Sequence, residues 1–216
     1  MDETGISDVS IELGSVTLPG ILGIPANACG VVLFSHGSGS SRLSPRNSFV
    51  AHQIRQAGIA TLLFDLLTPE EDADYERRFD IPFLTQRLVQ TTQWLDKQPI
   101  INALPIGYFG ASTGSTSALY AAAELGDKIH SIVSRGGRPD LALDILPTIT
   151  APTLLIVGGS DEPVLSMNRE AYEKLAGIKE LAIVPNATHL FEEAGALEEV
   201  AHLAVEWFRR YLCHSK

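Results

Sequence analysis

Along residues 106–123 the chain passes through three kinds of sequence in quick succession. Ile106-Gly107-Tyr108-Phe109 is short and apolar, and Gly110-Ala111-Ser112-Thr113-Gly114 is small throughout. Ser115-Thr116-Ser117-Ala118-Leu119-Tyr120-Ala121-Ala122-Ala123 is Ala-rich and closes at Gly126. The succession predicts a strand, a sharp turn and a helix, with Ser112 on the turn in the pattern G-x-S-x-G. A serine in that place must take a strained backbone conformation. Gly110 and Gly114, with no side chains, let the strand and the helix approach each other. Such a turn lifts the hydroxyl above the sheet edge and aims the first amides of the helix at the same spot, where a developing oxyanion is stabilised. Five residues of this kind also describe an ordinary Gly/Ser loop. The strand before and the helix after favour the chemical reading.

The rest of the chain fits around this unit. Residues 9–13 and 15–24 read as an opening hairpin, its second strand made irregular by Pro19-Gly20. Gly30-Val31-Val32-Leu33-Phe34-Ser35 is a continuous apolar run, the signature of a strand covered on both faces. Ser44 and Pro45 open a helix that Gly58 closes, and residues 59–64 return as a strand. Residues 68–78 are polar and mostly acidic and read as a solvated loop. Asp80 and Pro82 then open a helix with Leu84, Leu88, Thr91 and Leu95 on one face. Strands are expected at 129–134, 153–157 and 180–184, and helices at 139–146, at 166–175 and at the end, where Leu197, Val200, Ala204, Trp207 and Tyr211 share a face. Alternating strands and helices predict an α/β fold, with a mostly parallel central sheet and helices on both faces. No repeat or linker divides residues 1–216, which are expected to form a single domain.

Composition narrows the partners. A formal charge of −10 opposes nucleic acid and anionic membrane surfaces, both of which require clustered Lys and Arg. The start, Met1-Asp2-Glu3-Thr4-Gly5, has no charged-then-apolar pattern, and no apolar run is long enough to cross a bilayer, so a cytoplasmic protein is expected. Cys29 and Cys213 lie far apart with no C-x-x-C spacing and read as two incidental thiols rather than a zinc site or redox pair. No metal or organic cofactor is expected.

Ser112, Asp161 and His189 each fall just beyond the carboxyl end of an expected parallel strand, where open α/β sheets build their sites. The order Ser, Asp, His is that of one known triad architecture. The chemistry requires all three: His189 takes the proton of Ser112, and Asp161 fixes the tautomer and stabilises the imidazolium. Alone, Asp161 could merely begin a turn with Glu162-Pro163, and His189 could be a satisfied loop histidine. His36 ends a buried strand and is expected to fix its loop by hydrogen bonding. His52, His130, His202 and His214 are read as falling on helix or near-terminal segments and as surface or packing residues.

With these stretches the chain resembles an α/β-hydrolase, and within that superfamily it is similar to small serine hydrolases of the dienelactone-hydrolase type. The resemblance runs from Phe34-Ser35-His36-Gly37-Ser38-Gly39 through the Ser112 turn and Gly158-Gly159-Ser160-Asp161 to Ala187-Thr188-His189-Leu190-Phe191-Glu192-Glu193. It implies an oxyanion hole made by the backbone amides of Ser38 and Thr113. Dienelactone hydrolases proper carry a cysteine nucleophile where this chain has Ser112, which favours general ester hydrolysis. The expected activity is that of a carboxylesterase-like serine hydrolase acting on small, soluble, short-acyl esters through an acyl-enzyme. Lactone or thioester cleavage is the alternative on the same triad. Only one short helix fits between the strands at 129–134 and 153–157, so no lid domain is expected. Arg135 and Arg138, flanking Gly136-Gly137 at the same sheet edge, could hold a substrate carboxylate. The local alternative pairs Arg138 with Asp140 and turns Arg135 to solvent. A nucleotide-binding module is the competing class, from Gly37-Ser38-Gly39-Ser40-Ser41 and Asp65. It lacks the third glycine, where Arg42 stands, and its helix starts too late to cradle a pyrophosphate. A hydrolase scaffold used for binding alone is a third class.

Overall fold

The computed structural model describes residues 5–213, so the readings made of residues 1–4 and of His214 lie outside it. The strands are β1 (Ile6–Glu12), β2 (Thr17–Gly23), β3 (Val31–Ser35), β4 (Ala60–Phe64), β5 (Ile106–Ala111), β6 (Ile129–Arg135), β7 (Thr153–Gly158) and β8 (Lys179–Val184). They form one eight-stranded sheet in the order β1-β2-β4-β3-β5-β6-β7-β8. β2 is antiparallel to β1 and β4, and every pairing from β4 to β8 is parallel.

The helices are α1 (Pro45–Gln56), α2 (Pro69–Asp72), α3 (Ile81–Leu95), α4 (Thr113–Leu125), α5 (Glu162–Lys174) and α6 (Ala196–Leu212). Successive residues of a strand point to opposite faces, which explains why the central strands are apolar at every position. In β3, Leu33 joins Leu84 and Leu88 of α3, Ala118 of α4 and Ala171 of α5 on one face. Val32 and Phe34 join Val50 and Ile54 of α1 and Val200, Ala204 and Phe208 of α6 on the other. Burial of each large side chain contributes about 1.5–3 kcal/mol, so both faces must be covered for the sheet to be stable.

Three local expectations are corrected. Residues 68–78 are not an open loop. Thr68 caps α2 by accepting from the Glu71 amide, and Glu71 reaches back to the Thr68 amide, a capping box that the sequence T-P-E-E spells. Glu71 also pairs with the buried Arg87, which pins the segment to α3. The single helix expected at 139–146 is two short 3-10 turns, Pro139–Ala142 and Leu146–Thr148, because Pro147 denies an α-helix its amide there. His130 lies in β6 rather than on a helix or near a terminus, with Nδ1 near the Lys128 carbonyl and the Ile106 amide.

The two cysteines are not incidental thiols. Cys29 and Cys213 are disulfide-bonded across 184 residues of sequence, with Cα atoms 4.9 Å apart. α6 is long enough to run back along the sheet from the His189 side, which delivers residue 213 to the amino-terminal edge where β3 begins. Leu212 packs against Gly30 there. Spacing along a chain carries no information about such a return.

Candidate active site

Ser112 sits between β5 and α4 with φ 51° and ψ −124°, a left-handed conformation that costs a residue with a side chain about 1–3 kcal/mol. The surroundings hold it there. Its amide donates to the Arg135 carbonyl at 3.1 Å, and its carbonyl accepts from the Ser115 amide at 3.1 Å, the Ser115 hydroxyl at 2.7 Å and the Arg138 amide at 3.3 Å. A Cβ on Gly110 would collide with the Ser115 backbone, and one on Gly114 with the carbonyls of Ser35 and His36, so both glycines are needed for the close approach. Ser115 Oγ also accepts from the Arg138 amide at 3.0 Å, tying the loop after β6 to the back of the turn.

Asp161 follows β7 at the amino terminus of α5, which starts four residues earlier than its sequence pattern suggests. Its side chain makes no capping bond to that helix. Instead Oδ2 accepts from His189 Nδ1 at 2.8 Å, with the aspartate 13% and the histidine 38% exposed at the side chain. That bond assigns the proton to Nδ1 and leaves the Nε2 lone pair free as a base. The loops carrying the two residues are laced together, Gly159 donating to the Val184 carbonyl at 2.8 Å and Ser160 to the Ala187 carbonyl at 2.9 Å. The loop after β6 brings the histidine to the serine side. A Cβ on Gly136 would lie 3.5 Å from His189 Cε1 and Nδ1, one residue beyond the Arg135 carbonyl that holds Ser112.

The loop after β3 reaches the same place. A Cβ on Gly37 would lie 3.1 Å from Ser112 Cβ, and the next amide, Ser38, donates to Thr113 Oγ1 at 3.0 Å. The Ser38 amide is therefore beside the Ser112 turn but engaged by a side chain. The Thr113 amide heads α4 among the first-turn groups that lack an intrahelical acceptor. His36 fixes this loop as expected: Nδ1 donates to the Gly37 carbonyl at 2.9 Å and Nε2 accepts from the Leu66 amide at 3.1 Å. Burial pushes its pKa below the ordinary 6.5, against the opposing hydrogen bond to Gly37.

The two arginines part company. Arg138 forks onto Asp140 through Nε at 2.8 Å and Nη2 at 2.9 Å, the local pairing that the sequence left open. Arg135 does not turn to solvent. It is buried with its guanidinium 5.8 Å from the Phe191 ring centroid, and burial, reinforced by Arg46, pushes its pKa down to about 10. Phe191, two residues after His189, is buried in the left-handed region at φ 55° and fastens the histidine loop to the α1/α6 layer. Its only sequence signal is a large apolar residue beside Leu190, and the letters do not say which of the two is buried. Among the described residues no group of three or more His, Cys, Asp or Glu is placed to hold a metal, and no helix is long and apolar enough to cross a membrane.

No family model matches the chain. The crystal structure of a dienelactone hydrolase from Anabaena variabilis is 55% identical, with a TM-score of 0.95 over 98% of this chain and 100% of that one. Est1E from Butyrivibrio proteoclasticus, 17% identical, superposes with a TM-score of 0.81 over 94% of this chain and 98% of its own. A Pyrococcus furiosus esterase, 19% identical, gives 0.80 over 96% and 91%. At these low identities the likeness is one of fold. Two Mycobacterium tuberculosis proteins named as phosphoribosyl transferases are each 53% identical over 206 residues, covering 95% of this chain. The chain spans about half the length of these relatives, 46% of each.

Proposed function

The chain belongs to the dienelactone hydrolase family, with the α/β-hydrolase fold, and on that premise we propose that it hydrolyses carboxylic esters through an acyl-enzyme on Ser112. The observation that carries the proposal is the 2.8 Å bond from His189 Nδ1 to Asp161, at the sheet edge where Ser112 is held in a strained turn. In the first half of the reaction His189 Nε2 accepts the Ser112 proton as Oγ attacks the ester carbonyl. The tetrahedral oxyanion faces the Thr113 and Ser38 amides, and its collapse expels the alcohol with the proton from His189. In the second half His189 deprotonates a water that attacks the acyl-enzyme, and collapse releases the acid and returns the proton to Ser112. Asp161 stabilises the imidazolium in both halves. Each proton and electron pair is accounted for by these residues and water.

A serine nucleophile favours esters over the dienelactones of the family's cysteine enzymes, and lactone or thioester cleavage uses the same cycle. The connection from β6 to β7, residues 136–152, holds only the two 3-10 turns, which supports an open site reached by small, water-soluble esters. We place Arg138, neutralised by Asp140, on the wall of the substrate site and Arg135 beneath the histidine loop. The transferase name belongs to proteins more than twice the length of the matched stretch, and nothing at the Ser112 site draws on it. A cytoplasmic location, without nucleic acid or membrane as partner, is part of the same reading.

The test is hydrolysis of p-nitrophenyl esters by wild type and Ser112→Ala, together with labelling by a phosphonate that reacts only with an activated serine. Ser112→Ala is expected to lose on the order of 10⁶-fold in kcat and all labelling. Retention of more than about a tenth of kcat, in protein free of contaminating esterase, would sink the assignment.

A further inference from the structure

We infer that a groove running outward from Thr113 along α4 is the acyl subsite, and that it takes a neutral aromatic acyl group. The inference rests on the ester-hydrolase reading and names a substrate class for that site.

The groove has a volume of about 1160 Å³. Thr113, next to the nucleophile, stands at its inner end and Glu124 at its outer end. Eleven residues of helix separate them, about 16 Å at 1.5 Å per residue. Phe79, Phe83, Tyr120 and Leu141 line it. Phe79 and Leu141 are each 43% exposed, and Tyr75, 70% exposed, packs against Phe79 in a tilted pair with ring centroids 5.1 Å apart. Apolar side chains left contiguous and wet along a helix that begins at the residue after Ser112 mark a surface made to be covered. The walls are also braced. The guanidinium groups of Arg77 and Arg87 lie 4.6 and 4.7 Å from the centroid of the Phe83 ring, contacts that restrain it.

Two observations choose the occupant. Orientation comes first. His189 must return its proton to the leaving alcohol, so the alcohol lies toward the histidine loop, whose Phe191 packs into the α1/α6 layer. The groove opens on the other face, between α3 and α4, and so receives the acyl side. Charge comes second. The charged side chains lining the groove are Glu124 and Arg138, and the Arg138 fork is occupied by Asp140. An acyl carboxylate would meet no free cation there and one carboxylate, whereas a neutral ring meets other rings edge to face. The proposed acyl group is therefore a short chain that carries a ring into the groove.

The experiment compares p-nitrophenyl esters of propionate, 3-phenylpropionate and 3-(4-carboxyphenyl)propionate, with the leaving group constant. It also compares propionates of propanol and 3-phenylpropanol. Wild type is expected to favour phenylpropionate over propionate by about tenfold or more in kcat/KM, within the range of an apolar pocket, and to lose that preference for the carboxylated ring. Phe79→Ala and Leu141→Glu, at exposed and fold-tolerant positions, should each lower the phenylpropionate-to-propionate ratio by about tenfold. An unchanged ratio in both variants, or a phenyl preference confined to the alcohol, overturns the acyl subsite. Binding of 3-phenylpropionamide to Ser112→Ala, weakened by the added Phe79→Ala, tests the groove without turnover, and no binding overturns it. Undiminished ester hydrolysis by Ser112→Ala would instead overturn the acyl-enzyme on Ser112 and with it the acyl role of the groove, while the amide-binding measurement still reads the groove by itself, so the two failures are distinguishable.

Discussion

The hydroxyl of Thr113 accepts the amide proton that the loop after β3 offers beside Ser112, at 3.0 Å. On the proposed mechanism a substrate oxygen replaces that acceptor or shares it, and the hydroxyl holds the Ser38 amide in position until it does. Removing the hydroxyl while keeping the shape isolates this role. Thr113→Val is expected to lower kcat by roughly 10- to 100-fold with little change in KM, somewhat less than outright loss of an oxyanion donor, and Thr113→Ser should restore most of it. A Val variant as fast as wild type, in protein melting at the wild-type temperature, would show that the bond is incidental. The positions of the proposed triad were legible in the sequence: Ser112, Asp161 and His189 lie just beyond β5, β7 and β8, and the Asp161–His189 bond, which supports the proposed roles, is formed. Thr113 was legible as an amide only. Which way a threonine hydroxyl turns depends on a loop 75 residues away, and no local pattern encodes that.

Among the elements, the buried strands and the helices with strong periodicity were readable because two-sided burial and a helical stripe each leave an unambiguous pattern. The α2 segment was read correctly as solvated but wrongly as a loop, because charge alone does not distinguish an exposed helical turn from irregular chain, although its capping box was present in the letters. The end of β3 and the segment after β4 are joined by His36, which accepts from Leu66 and donates to Gly37. This arrangement requires a neutral ring, and burial depresses its pKa from 6.5 despite the nearby carboxylates of Asp65 and Asp72. The unfolded chain therefore binds a proton at a higher pH than the folded one. The histidine's contribution is complete above about 6.5 and is lost as pH falls toward the depressed folded value, with a slope of up to about 1.4 kcal/mol per pH unit. Urea titrations of wild type and His36→Gln from pH 8 to 5 should show a stability difference in favour of wild type at pH 8 that shrinks below pH 6.5. A difference constant over that range would mean that the folded ring is charged as readily as the free one.

At the scale of the whole molecule, the bridge between Cys29 and Cys213 closes the far edge of the sheet, opposite the edge that carries Ser112. It spans 184 residues, so its effect falls on the unfolded chain, which it forbids from separating two distant points. That restraint is typically worth about 2–4 kcal/mol and is independent of the chemistry at the other edge. Reduction of wild type should lower its unfolding midpoint to that of Cys29→Ser or Cys213→Ser, leave both variants unmoved, and change ester turnover in none of them. A midpoint insensitive to reductant would mean that the bridge does not form in solution. The same pair tests the proposed location, because cytosolic thiols are kept reduced whereas an oxidising compartment preserves the bond. Protein alkylated at the moment of lysis from its native host should carry two blocked cysteines if the enzyme works in the cytoplasm. Recovery of the intact bridge would place it outside and leave the esterase assignment untouched.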